Sequence, residues 1–296
     1  MKKLDTNKVN LFVVGAMRAG TTSFFEILRS HRAIYTAPIK EPNYFIENIP
    51  TAVFKPLPKG FVKGYFQNIF PNPIHRAHIQ NESDYHKLYS FSNDENYLAE
   101  ASSLYLHAPR AAASIHRYNN EAKIIIITRD PIKRAFSHYK MDRNMGRIKV
   151  SFEVAMQTEV AAFEKKRLPW HSYLAMSQYA KKIKEYESFF GKNVLVISHE
   201  ALFNNTEVEL AHVSKFLDIE TFKNQSIEVN NASRKHRFGY LQRRLLQSRL
   251  IDLLSSQTSS NFKNVIKKLM LVDDTSTPKI TSKLRKSLTS ILIKDI

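Results

Sequence analysis

The sequence predicts an α/β fold with a central parallel sheet flanked by helices. An apolar run, Leu11-Phe12-Val13-Val14, enters a glycine-containing turn and leaves through the helix-periodic stretch Phe24-Phe25-Glu26-Ile27-Leu28. The run Lys123-Ile124-Ile125-Ile126-Ile127-Thr128 is continuously β-branched, as a strand covered on both faces would be. Strand-like and helix-like stretches alternate around these two, the pattern of a parallel sheet. With 296 residues and 43% apolar content the chain can bury one large core. A single domain over residues 1–296 is the economical reading.

After the first strand and helix, residues 33–36 read as a short strand stopped by Pro38. Pro42 biases Glu41 away from helix, so Lys40-Glu41-Pro42-Asn43-Tyr44-Phe45 is expected to be extended or turning. Residues 46–96 carry Pro50, Pro56, Pro58, Pro71 and Pro73 among many aromatics, and a period survives only near residues 85–88. They are expected to form an irregular cover insertion. Residues 97–101 supply a third strand, and Pro109 opens a short helix through about His116. Beyond the isoleucine-rich strand, Arg129-Asp130-Pro131 starts a helix that runs to about Met145. Helices over residues 151–166 and 172–190 then precede a strand at residues 193–197. The remainder is expected to be helical, with a polar loop around residues 230–238 and a C-terminal helical region over residues 240–296.

Cysteine is absent, which excludes disulfides and thiolate metal sites and admits a reducing cytoplasm. No apolar run is long enough to span a bilayer, and the one after the charged N-terminus is too short for a signal peptide. The net charge of +18 favours encounters with nucleic acid, anionic polysaccharide, acidic lipid or a highly charged nucleotide, although a lysine-rich solvated surface explains part of it. Two basic stretches are more specific. One holds Arg234, Lys235, Arg237, Arg243, Arg244 and Arg249 with no acid among them, and the other holds Lys279, Lys283, Arg285, Lys286 and Lys294.

The turn after the first strand is Gly15-Ala16-Met17-Arg18-Ala19-Gly20-Thr21-Thr22-Ser23. Its G-x4-G spacing is that of a phosphate-binding P-loop, but Thr21 stands where the lysine of a nucleotide triphosphatase belongs. A helix start offers unpaired N–H groups and a positive dipole end, so the turn suits an anion other than a triphosphate under hydrolysis. Ligands of parallel sheets sit at the carboxyl ends of the strands, where this loop, Glu41 and Arg129 all fall. Ser137 lies two helical turns beyond Arg129. Taken alone, Arg129-Asp130-Pro131 reads as an ordinary helix cap. Beside a P-loop that lacks its lysine, it reads as half of a second anion site.

These residues resemble the sulfotransferases that use 3′-phosphoadenosine 5′-phosphosulfate (PAPS). Met17 to Ser23 is similar to that family's 5′-phosphosulfate loop, and Ile127 to Pro131 with Arg134-Ala135-Phe136-Ser137 is similar to its 3′-phosphate motif. The likeness is closer to carbohydrate sulfotransferases of the heparan-sulfate type and their bacterial relatives. It rests there on Lys40-Glu41-Pro42-Asn43-Tyr44-Phe45, Glu100-Ala101-Ser102, Gln178-Tyr179, Val194 to Leu202 and Asn231 to Arg237. The resemblance implies a P-loop-NTPase-like sheet, PAPS as donor, PAP (3′-phosphoadenosine 5′-phosphate) as product, and no required metal. It implies that the backbone of Ala19, Gly20, Thr21, Thr22 and Ser23 holds the 5′-phosphate, with the Thr21 and Thr22 hydroxyls. Arg129 and Ser137 would grip the 3′-phosphate, with Arg234, Lys235 and Arg237 closing over it.

By matching position, Glu41 is the base that takes the acceptor proton, and Arg18 replaces the lysine common in this branch. Arginine holds its charge firmly, so Arg18 is expected to stabilise the leaving oxygen without giving a proton. The implied acceptor is a carbohydrate, and the basic surface favours an anionic glycan or a glycolipid. The C-terminal helix invites peripheral contact with the inner membrane face, nucleic acid is not expected as a partner, and a bacterial cytoplasmic setting follows from the missing anchor and cysteines. The competing identity is a degenerate P-loop protein that binds nucleotide or nucleic acid without sulfuryl transfer. It would not prefer PAP to AMP or ATP. Weaker signals point elsewhere: His75 and His78 read as solvated with no nearby acid, Ser198-His199-Glu200 mimics a hydrolase fragment, and Tyr97 and Tyr105 are either core or sugar-stacking aromatics.

Overall fold

The computed structural model describes residues 8–55, 57–222, 234–236, 271–273 and 277–293. Along the chain, strand β1 (Leu11–Gly15) leads into helix α1 (Thr21–Arg29) and returns as β2 (Ile34–Thr36). Next come β3 (Ile39–Glu41), α2 (Phe61–Asn68), β4 (Ile74–Arg76) and α3 (Glu82–Lys87). The chain re-enters the main sheet as β5 (Tyr97–Ala101), followed by α4 (Ala111–Tyr118), β6 (Lys123–Thr128) and α5 (Pro131–Asn144). Helices α6 (Phe152–Glu164) and α7 (Ala180–Phe190) precede β7 (Val194–Ser198), α8 (His199–Asn204) and α9 (Thr206–Leu217). The remaining elements are β8 (Arg234–His236), β9 (Leu271–Asp273) and α10 (Ser282–Ile293).

Five strands form one parallel sheet in the order β2-β5-β1-β6-β7. Every residue of β1 and β5 is buried, and so are the four isoleucines of β6, which is why these segments read as unbroken apolar runs. Strand β7 is an edge and is only partly covered. Phe24, Phe25, Ile27 and Leu28 turn one face of α1 into the core. The chain leaves β1 for β2 on one side and later crosses from β5 to β6 and β7 on the other, so the strand order reverses around the carboxyl end of β1. Such a reversal is where open parallel sheets take their ligands.

Three stretches differ from expectation. Residues 46–96 are not irregular throughout, since they contain α2, β4 and α3; β4 pairs in parallel with β3, matching Ile39 to Ile74 and Glu41 to Arg76. Elements this short, set between prolines, give no periodic signal. Residues 172–190 are not one helix: a 3-10 turn at Ala175–Ser177 is followed by extended Gln178, and only then does α7 begin. The break wraps the chain around the buried guanidinium of Arg134, which takes up the Tyr173 carbonyl and the Ser177 hydroxyl. The polar loop around residues 230–238 contains β8, which pairs antiparallel with β9 inside the region expected to be helical. Residues 240–270 lie outside the described residues.

A second apolar cluster forms beside the main core. Leu284, Leu288 and Leu292 of α10 pack with Ala135 and Tyr139 of α5 and with Phe152, Ala155 and Met156 of α6. Leu284, Leu288 and Leu292 of the C-terminal helix are thus covered by protein. Among the described residues, no helix is long and apolar enough to cross a membrane.

Candidate active site

Gly15 ends β1 where the backbone must pass close to the β5–α4 connection: a Cβ there would lie 2.7 Å from Leu106 Cβ and 3.2 Å from the Ser103 carbonyl oxygen. The Ala16 N–H still donates to the Ile127 carbonyl of β6 at 2.6 Å, which pins the loop entrance to that strand. Arg18 adopts φ +72° and Gly20 φ +93° to reverse the chain into α1. Gly20 gives the helix no side-chain cap, so its first turn keeps N–H groups directed to the loop. The Ala19 N–H is an exception to the expected cradle, because it donates to the Ala16 carbonyl at 3.0 Å within the loop. Thr21 and Ser23 are buried and Thr22 is half-buried.

Arg18, Arg129 and Ser137, far apart in sequence, meet at the carboxyl ends of β1 and β6. Arg18 Nε donates to Ser137 Oγ at 3.1 Å, and Arg129 donates from its terminal nitrogen to the Arg18 carbonyl at 3.0 Å. Asp130 caps α5 through the Lys133 N–H, and Pro131 begins the helix, which fixes Arg129 at its entrance. Burial lowers the pKa of Arg18, and the charge of Arg129 lowers it further. Burial also lowers Arg129, against the raising influence of Glu200, Tyr179 and Asp130. Arg129 Nε is buried without a hydrogen-bond partner among the described residues. Two like charges in each other's field and a buried donor with no acceptor among the described residues are what an oxyanion would relieve.

Arg134, quoted in the motif but given no role by sequence, is fully buried. It donates to Ser177 Oγ at 2.8 Å, to the Tyr173 carbonyl at 2.7 Å and to the Met17 carbonyl at 3.4 Å. It therefore braces the loop from behind, and burial drops its pKa to about 10.

Glu41 ends β3 and is 2% exposed. Its Oε1 accepts from Ser103 at 2.7 Å and from Lys40 at 3.4 Å, and its Oε2 accepts from Arg76 Nε at 2.6 Å. Ser103 thus links Glu41 to the loop, since its own carbonyl borders Gly15. Burial alone would raise the Glu41 carboxyl, but the charges of Lys40, Arg76 and His75 and the Ser103 hydroxyl hold it well below the usual carboxylate range. His75, expected to have no acidic neighbour, in fact sits in the field of Glu41, because β4 returns it beside β3. Behind this carboxylate lies another: Glu100, fully buried, accepts from Tyr85 at 2.5 Å and from Ser102 at 2.6 Å. Ser102 in turn accepts from the Asn43 N–H at 3.1 Å, and the Asn43 amide donates to the Glu41 carbonyl at 2.9 Å. The two adjacent serines hold one carboxylate each.

The other signals resolve into structure. Ser198 caps α8, His199 meets the Ala19 carbonyl at 3.1 Å and Glu200 accepts from the Asp130 N–H at 3.3 Å, so no hydrolase relay forms. Tyr97 and Tyr105 are buried, with hydroxyls on the Leu217 carbonyl and the Phe45 N–H. Arg234 and Lys235 lie on β8, of which only the backbone is described, and Arg237 lies outside the described residues.

The sulfotransferase domain family model matches residues 8–243, a span that takes in the loop, Glu41, Arg129 and Ser137. The chain belongs to the sulfotransferase domain family. This sulfotransferase is similar to a solved sulfotransferase from Alicyclobacillus acidocaldarius, with 25% identity and a TM-score of 0.63 over 98% of this chain and 93% of that one. It also shares its fold with the sulfotransferase domain of the Synechococcus PCC 7002 olefin synthase, at 12% identity and a TM-score of 0.51 over 99% and 97% of the two chains. Among curated sequences, none matches. The mixed α/β fold with its parallel sheet is the one expected, and the protein is an enzyme of sulfuryl transfer.

Proposed function

We propose that this sulfotransferase moves a sulfuryl group from PAPS to a hydroxyl or amine of a carbohydrate acceptor, with Glu41 as base. One observation carries the proposal: Arg18, Arg129 and Ser137 are hydrogen-bonded together beside the start of α1, and Glu41 stands one serine away from Gly15. When bound, PAPS supplies the activated sulfuryl group. The N–H groups of Gly20, Thr21, Thr22 and Ser23 and the hydroxyls of the two threonines hold the 5′-phosphate. Arg129, through its unpartnered Nε, and Ser137 hold the 3′-phosphate, with Arg234, Lys235 and Arg237 closing over it. Arg18 places its charge where negative charge develops on the leaving oxygen. Glu41 takes the acceptor proton. The Lys40 to Phe45 and Glu100 to Ser102 segments support the carbohydrate branch, and the charge of +18 supports an anionic glycan or glycolipid in a cytoplasmic setting.

Calorimetric titration with PAP, AMP and ATP tests the donor. PAP should bind at least ~10-fold more tightly than either, since only it offers both phosphates. Equal affinities would favour a degenerate P-loop protein. Glu41→Gln should bind PAP like the wild type and lose ~100-fold or more in transfer from labelled PAPS to a glycan panel. A variant that kept most of its rate would remove Glu41 as the base.

A further inference from the structure

A base needs an oxygen that faces the acceptor, and Glu41 has none in this structure. Arg76 contacts Oε2 from two nitrogens, at 2.6 and 2.5 Å, while Ser103 and Lys40 occupy Oε1. A proton arriving at Oε2 would be set against the N–H donors of Arg76, which have no acceptor capacity. One of these partners has to leave before Glu41 can act.

The geometry singles out Arg76. Lys40 is buried, adjacent in sequence and fixed on the same strand, and Ser103 belongs to the connection that borders the loop. Arg76 is on β4, whose one strand partner among the described residues is β3, and its side chain is 20% exposed. The outer face of its guanidinium rests on the Phe54 ring, 5.4 Å from the centroid, with no second carboxylate in contact among the described residues. It is long, edge-placed and partly exposed. The groups facing Glu41 are Lys40 from β3, His75 and Arg76 from β4, Ser103 from the β5–α4 connection and, at longer range, Glu100 from β5.

We propose that Arg76 reads the acceptor: an oxyanion on the glycan, carboxylate or sulfate ester, draws its guanidinium off Glu41 and so frees the base only when an anionic acceptor is in place. A neutral sugar offers nothing to replace the buried ion pair. A carboxylate or sulfate ester presents the same pair of oxygens that Glu41 does, so the exchange is close to balanced. Arg76 is a positioning and specificity residue, and the inference rests on Glu41 as base.

The test uses the full chain loaded with PAP, a glucuronate-containing oligosaccharide, the same oligosaccharide with its carboxyls reduced to alcohols, and a sulfated counterpart. By calorimetry the wild type should bind the two anionic forms at least ~10-fold more tightly than the reduced one. Arg76→Met should flatten that preference to about 2-fold, and Arg76→Lys, which keeps charge without the fork, should fall between. The Glu41 carboxyl resonance, assigned by its loss in Glu41→Gln, should shift on adding the anionic forms to wild type and not on adding the reduced one. Equal binding of all forms, binding of none, or a preference that survives in Arg76→Met overturns the role of Arg76. PAP affinity separates the failures: its loss in the wild type would sink the donor assignment, whereas unchanged PAP binding in Arg76→Met shows an intact fold and leaves Arg76 alone at issue.

Discussion

Replacing Gly20 with alanine should destabilise the enzyme and empty the donor loop of its function, for two separable reasons. The backbone sits at φ +93°, where an L-residue pays about 1–2 kcal/mol. The added methyl would also lie 2.8 Å from Phe203 Cε2, 3.2 Å from Phe203 Cζ and 3.1 Å from His199 Nδ1, an overpacking worth about 1–3 kcal/mol. Together these give about 2–5 kcal/mol. With an unfolding entropy of about 2.1 cal/mol/K per residue over 296 residues, the midpoint should fall by about 3–8 °C. Thermal unfolding, followed with and without PAP, measures both parts. Wild type at a 100-fold excess of PAP over its Kd should gain about 2.7 kcal/mol, and Gly20→Ala much less, because the first-turn N–H groups of α1 are displaced. Adding Phe203→Leu to Gly20→Ala should return the steric share and leave the backbone share, a coupling of about 1–3 kcal/mol in the double-mutant cycle. A midpoint within about 1 °C of wild type, or complete rescue by Phe203→Leu, would refute the reasoning.

Two further outcomes follow from the same geometry. Ser137→Ala, which removes the acceptor of the Arg18 Nε bond, should change stability by no more than about 1 kcal/mol yet weaken PAP by about 10-fold, leaving AMP affinity unchanged in calorimetry. An equal loss for AMP would take Ser137 away from the 3′-phosphate. Glu100 has its pKa pushed up to about 7 by burial, against the lowering hydroxyls of Ser102, Tyr85 and Tyr105, so its neutral form is favoured in the fold. Stability should therefore be lost, by about 3 kcal/mol, as pH rises from about 4.5 to 7 and the group ionises, and urea unfolding of Glu100→Gln should lack that slope. Glu41 has the opposite sign: its stabilisation is lost only as pH falls toward its depressed pKa, below this window.

The main sheet was legible because parallel strands buried on both faces leave continuous apolar runs, as β1 and β6 do. The loop, Arg129 and Ser137 were legible as motifs, since local spacing alone sets them at strand ends. Arg76 was not, because β4 is three residues long and reaches Glu41 only through a pairing that spans 35 positions. Arg134 went unread because its partners, the Ser177 hydroxyl and the Tyr173 carbonyl, lie 43 and 39 positions away in sequence. The interruption at Gln178 was hidden for the same reason, since helical periodicity does not register a carbonyl turned toward a distant guanidinium.

Helix α5 works on two fronts. One side presents Arg134 and Ser137 to the donor loop, while Ala135 and Tyr139 on the other are roofed by Leu284, Leu288 and Leu292 from the far end of the chain. The tail is therefore scaffolding for a site whose recognisable sequence signatures end some forty positions earlier. A shortened gene product stopping before residue 277 would keep the loop, Glu41, Arg129 and Ser137, yet lack the roof over the helix that carries the last of them. Inventories that count motifs would score such a fragment as intact, and a purification yield or a melting curve would not.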